Sequence, residues 1–142
     1  MIDFNKFTQQ TQNVILEAQQ VLQRYQNNQL EPEHLLLAIL EDEKCVAYEV
    51  IKQLKVNIQN IQQDIEKILA LKPKIAYSSD KGQIYISVEF KNLIDKSLEE
   101  ANRLKDSYIS TEHILIAMSE TSNTEYGKIL NQHNITKNNI IN

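Results

Sequence analysis

Among the groups in this 142-residue chain able to move protons, attack electrophiles or hold a metal, the first to consider are three histidines, one cysteine and nineteen side-chain carboxylates. His34, His113 and His133 do not form the H-x-x-x-H spacing that puts two imidazoles on one helix face, and no second strong ligand type stands beside any of them at metal spacing. His34 and His113 therefore read as half-buried imidazoles bonded near helix starts. Cys45 has no cysteine or histidine partner in the sequence and reads as a small apolar residue at a helix start, not as a nucleophile. As the single cysteine it forms no internal disulfide, which fits a reducing compartment. A phosphate-cradling loop requires G-x-x-x-x-G-K-[ST]. Gly127 precedes Lys128, but Ile129 follows and no glycine stands at the required distance before it. Glu33 and Glu112 could be imagined as an acid–base pair. Each is better explained as a carboxylate in a helix first turn, where the macrodipole favours negative charge. The expectation is a chain with no catalytic residue, metal site or cofactor of its own.

What positions these residues is a repeat. Glu33-His34-Leu35-Leu36-Leu37-Ala38 returns as Glu112-His113-Ile114-Leu115-Ile116-Ala117, an offset of 79 residues. The same ungapped offset pairs Thr8 with Ser87, Asn13 with Asn92, Ile15 with Ile94 and Leu30 with Ile109. It also pairs Glu41 with Glu120, Ile51 with Leu130, Val56 with Ile135 and Ile61 with Ile140. Apolar positions thus match apolar positions across the whole unit.

Each copy reads as helices. Val14, Ile15, Ala18, Val21, Leu22 and Tyr25 recur at helical spacing behind Thr8, whose hydroxyl suits an N-cap. Ser87 holds that place before Phe90, Leu93, Ile94, Ser97, Ala101 and Leu104. A second helix starts near Pro32, with fixed φ suited to a first turn, and Ser110 caps its counterpart. A third covers Val46 to Leu54 and, in the second copy, Glu125 to Gln132. A fourth follows Asn57, and the second copy reaches only its beginning. Glu41-Asp42-Glu43-Lys44 reads as a solvated loop. The stretch with Pro73, Ser78-Ser79-Asp80-Lys81 and Gly82 reads as the connection between copies. The fold class expected is all-α: about eight helices in two tandem, pseudo-twofold-related four-helix repeats, roughly 7–71 and 87–142, joined by 72–86. Short amphipathic helices are marginal alone in water, so the copies must share one core.

Composition agrees. Two glycines and two prolines are too few for the turns of an all-β fold. A formal net charge of -4 without a basic stripe argues against nucleic acid as partner. No apolar stretch approaches the ~20 residues that span a bilayer. Met1-Ile2-Asp3-Phe4-Asn5-Lys6 does not read as a secretory signal, so a cytoplasmic location is expected, or an organelle matrix if a targeting peptide has been removed.

The segments Leu30-Glu31-Pro32-Glu33-His34-Leu35-Leu36-Leu37-Ala38-Ile39-Leu40 and Tyr108-Ile109-Ser110-Thr111-Glu112-His113-Ile114-Leu115-Ile116-Ala117 resemble the Clp amino-terminal domain. That domain is the doubled helical module at the front of Clp/Hsp100 AAA+ chaperones. The resemblance covers nearly the entire chain. Gly82-Gln83-Ile84-Tyr85-Ile86-Ser87 looks most like the ClpB branch, the protein disaggregases, with ClpC and ClpA as close alternatives.

The resemblance implies a non-catalytic domain tethered to the AAA+ modules of a hexameric ring, where ATP and magnesium act in the parent protein. Its partners would be unfolded or aggregated polypeptides, with the Hsp70 system indirectly or Clp adaptors beside them. It implies substrate handling by Thr8, Asp106 and Glu112, each of which also has a local role as cap, loop residue or dipole partner. In ClpC-like relatives the glutamate before each motif histidine recognises phosphorylated arginine, which would fall here to Glu33 and Glu112 through a guanidinium–carboxylate bond. A free-standing regulator docking onto a Clp complex is the third reading. The resemblance also implies an apolar groove between the copies, and Lys96 and Glu100 are expected on part of the helix face that walls it.

Overall fold

The computed structural model describes residues 3–75 and 84–142. A short 3₁₀ turn, Phe4–Lys6, leads into α1 (Gln9–Tyr25), β1 (Gln29–Leu30), α2 (Pro32–Glu41), α3 (Val46–Gln53) and α4 (Ile58–Leu71). The second copy follows as β2 (Tyr85–Ile86), α5 (Val88–Arg103), α6 (Thr111–Glu120), α7 (Glu125–Gln132) and α8 (Lys137–Ile141). The four N-caps of the first copy, Thr8, Glu31, Cys45 and Asn57, recur at the 79-residue offset as Ser87, Ser110, Thr124 and Thr136. Thr8, Asn57, Ser87, Thr124 and Thr136 each accept a backbone N–H of the first turn, one of the donors a helix start leaves unpaired.

The helix ends repeat as faithfully. Gln26 and Lys105, and Lys55 and Asn134, are left-handed with φ between 55° and 63°, in two pairs at the same offset. None is glycine, and each costs some backbone strain. After α1 and α5 the chain closes in the same way: the Asn27 amide reaches the Leu22 carbonyl at 3.2 Å and the Asp106 amide reaches the Ala101 carbonyl at 2.8 Å. This tight exit fixes the places of Asn27 and Asp106.

The copies interlock through four short extended pieces. Leu30 lies opposite Ile86 in the parallel β1–β2 pair, and Phe7 bridges Ile109, also in parallel. The offset exchanges these two pairs. The flanking bonds match: the Ser87 amide donates to the Leu30 carbonyl at 3.0 Å and the Thr8 amide to the Ile109 carbonyl at 3.0 Å. This reciprocity is the pseudo-twofold relation between copies. Two-residue strands carry too little alternation to be read from sequence.

The central helices α2 and α6 are apolar nearly all round, as fully enclosed helices are. Every residue from Pro32 to Leu40 is buried, and so is every residue from His113 to Ser119. Helix α2 packs on α1 and α4, and α6 on α5, α7, α8 and α3. Across the seam the Thr111 hydroxyl accepts the Ala47 amide at 2.9 Å. The all-α architecture stands as expected. One local expectation does not. Glu41 is the last residue of α2, not part of a solvated loop, and takes the Arg24 guanidinium in two bonds of 2.9 and 3.1 Å. Ser78 to Gln83, the polar part of the connection, lie outside the described residues.

Candidate functional site: a groove along the seam

A cavity of about 330 Å³ opens where the Phe7–Ile109 bridge meets α5. Phe7 and Ile109 are 3% and 1% exposed and are its most enclosed apolar lining. Val88, Ile94 and Leu98 contribute one wall, with Lys91 and Asp95 interleaved. These residues fall at three- and four-residue steps and so share one face of α5. Ile86 lies at the rim, and Asp3 and Lys6 complete the charged edges. Val88 is 69% exposed, a large apolar side chain held in water at the first turn of a helix.

The expectation that Lys96 and Glu100 interrupt this wall is corrected. Both sit on other faces of α5. Lys96 lines a separate cleft with Glu89, Leu93, Thr121, Thr124 and Tyr126. Glu100 is 3% exposed and points inward, 2.6 Å from Arg103 and 3.1 Å from Lys137. In the first copy, the positions matching Val88, Lys91 and Leu98 are Gln9, Gln12 and Gln19. There the Gln12 amide donates to the carbonyls of Phe4 at 2.9 Å and Phe7 at 3.3 Å. The pseudo-twofold relation therefore offers two sites in outline; in the first, glutamines replace Val88 and Leu98, and the exposed Leu16 stands at the place of Asp95.

At the motif itself, the histidines are more enclosed than the half-burial expected: His34 is 0% and His113 1% exposed. Both act as the third residue of a capping box. Nδ1 of His34 accepts the Glu31 amide at 2.9 Å, and Nδ1 of His113 accepts the Ser110 amide at 2.9 Å. Nε2 of His34 meets the Asn27 side-chain oxygen, and Nε2 of His113 meets Asp106 Oδ2, both at 2.8 Å. Burial, reinforced by Lys72, pushes the His34 pKa down to about 4.

Of the residues implied for substrate handling, Thr8 caps α1 by accepting the Thr11 amide at 3.1 Å. Its own amide is bonded to Ile109, and Asp106 reaches Ser110 through His113, so these two converge on the Ile109–Ser110 edge of the groove. Glu112 is half-buried in the first turn of α6. None of the three lines the cavity. Glu33 is buried, with Lys72 Nζ 3.7 Å from its carboxylate. Burial pushes its carboxyl up, and Lys72 opposes the rise. Sequence reasoning missed Asn27 and the groove face of α5. The latter had one signal, an apolar Val88 off the core stripe.

Among the described residues no three of His, Cys, Asp and Glu are arranged to hold a metal, and no helix is long and apolar enough to cross a membrane. The fold and cavity define a doubled helical module with a groove along the seam between its copies. Residues 6–133 match the Clp repeat (R) N-terminal domain, and the chain belongs to that family. It is 30% identical over 141 residues, 99% of its length, to the chaperone protein ClpB of Bacillus cereus, of which it spans only 16%. Its fold is similar to the Hsp104 N-terminal domain of Candida albicans, with TM-score 0.76, 21% identity and coverage of 95% of this chain and 86% of that one. It is similar also to a ClpV N-domain solved in complex with a VipB peptide, with TM-score 0.72, 13% identity and coverage of 93% and 81%.

Proposed function

We propose that the seam groove binds short apolar stretches of unfolded or aggregated polypeptide, and that the chain is the substrate-capture domain of a ClpB-type, ATP-driven disaggregase. The observation that carries this reading is the exposed Val88 beside the enclosed Phe7 and Ile109, an apolar trough open to solvent. Apolar surface left in water is unfavourable by about 25 cal/mol per Å², and a polypeptide segment laid into the trough removes that cost. The ClpB relative supports the parentage, and the peptide-bound ClpV domain supports protein as ligand. Lysines and aspartates alternate along the rim, so flanking charge of either sign finds a partner. ATP, magnesium and the ring belong to the parent in this reading.

The test uses Val88→Asp. Position 88 is the first residue of α5, where the macrodipole tolerates an acid, so stability should hold. Affinity for a reduced, carboxymethylated polypeptide should fall about tenfold, the equivalent of losing one buried aliphatic side chain. Undiminished affinity would remove the groove from the reading. The alternative, a guanidinium- or adaptor-reading face at Glu33 and Glu112, has weaker support, because a ligand cation at Glu33 must displace Lys72.

A further inference from the structure

We propose that Asp106 is a positioning residue for the groove, acting through His113 as a hydrogen-bond acceptor and not through its charge. The inference rests on the groove reading above and assigns Asp106 a role without polypeptide contact. Nδ1 of His113 accepts the Ser110 amide at 2.9 Å, so that nitrogen cannot carry a proton. The neutral ring then holds its proton on Nε2 and donates it to Asp106 Oδ2 at 2.8 Å. All that position 106 must supply is a lone pair.

The first copy shows that a neutral group suffices. At the matching position Asn27 receives the His34 Nε2 proton at 2.8 Å, and its own amide nitrogen turns away toward the Leu69 and Pro73 carbonyls. The bonds run on from His113 to the groove. Ser110 follows Ile109, whose carbonyl accepts the Thr8 amide at 3.0 Å and whose amide donates to the Lys6 carbonyl at 2.7 Å. Ile109 and Lys6 both line the cavity, and Asp106 does not. Asp106 thus anchors the end of the peptide segment that shapes the groove's enclosed side.

Asp106→Asn and Asp106→Ala separate the two roles. Affinity for the reduced, carboxymethylated polypeptide should stay within about twofold for D106N and weaken fivefold or more for D106A. In ¹H–¹⁵N spectra D106N should keep the Nε2-protonated His113 tautomer and the amide positions of Thr8 and Ile109, and D106A should move both amides. D106N binding as weakly as D106A would show that charge touches the polypeptide, and would overturn the proposal. So would a D106A variant that leaves the two amides in place. If the wild type fails to bind the probe, the groove reading fails separately, and the two spectra still decide whether Asp106 holds Ile109.

Discussion

Glu100 and Lys137 meet at 3.1 Å where the first copy places Val21 and Ile58. Val21 is 1% exposed and Ile58 packs on the core, so the second copy has put an ion pair into an apolar slot. The pair fastens the five-residue α8 to α5. A buried carboxylate pays for desolvation with its partners, and removing one partner exposes that cost. Lys137→Ile should therefore destabilise the domain by about 1–3 kcal/mol, tempered by the Arg103 bond that Glu100 keeps. Adding Glu100→Val should bring stability back to the wild-type value or above it. Urea titrations of the two variants decide, and a double mutant weaker than K137I would contradict the argument.

Glu17 sits among acids. Burial first, then a bond to Asp42 and repulsion from Asp42 and Glu41, pushes its pKa up to about 7. The second copy has Lys96 at this position. Above pH 7 the folded chain must hold a carboxylate there that the unfolded chain carries without strain. Glu17→Gln should be more stable than wild type at pH 8. The advantage should fade as pH falls toward 5, where Glu17 is protonated in the fold. An equal denaturation midpoint at pH 8 would refute it.

His34 works in the opposite sense. Its folded pKa of about 4 lies below the ordinary 6.5, so the unfolded chain binds the proton first as pH falls. Stability from this group is complete above about pH 6.5 and is lost between there and pH 4, a change of order 3 kcal/mol. Glu17 and Glu33, both raised, gain protons in the folded state and mask part of the loss. The loss should emerge more sharply in the Glu17→Gln background. A ring titration of His34 with its midpoint near 6.5 would overturn the assignment.

Gly127 has no room for a side chain. A methyl group there would overlap the Thr121 carbonyl, which accepts the Thr124 amide at 3.2 Å and the Thr124 hydroxyl at 2.7 Å. Its φ is not positive, and the first copy carries Tyr48 at the matching place, so the demand is for space and not for backbone freedom. Gly127→Ala should cost about 1–3 kcal/mol, as overpacked sites do. A thermal midpoint equal to that of the wild type would show that the loop yields freely.

The repeat made most of the fold legible, because one offset tests every helix twice. Ser87 and Thr8 mark helix starts by residue type alone, and Pro32 lies where its fixed φ allows. The groove wall was misread for a definite reason. A helical wheel says which residues of α5 share a face, but not whether that face meets α8 or the seam. Glu100 was expected on the groove face because acids seldom enter a core, and its partner lies 37 residues on. Asn27 carries no signal in the sequence, since nothing local announces an amide that bonds a histidine seven residues later.

The exchange of Phe7–Ile109 for Leu30–Ile86 ties two halves as clasped hands are tied. Neither can finish closing until the other supplies its strand. During synthesis the first half must wait for residue 109 to emerge before Phe7 has a place to rest. In the test tube the halves should melt in a single step, with one calorimetric peak.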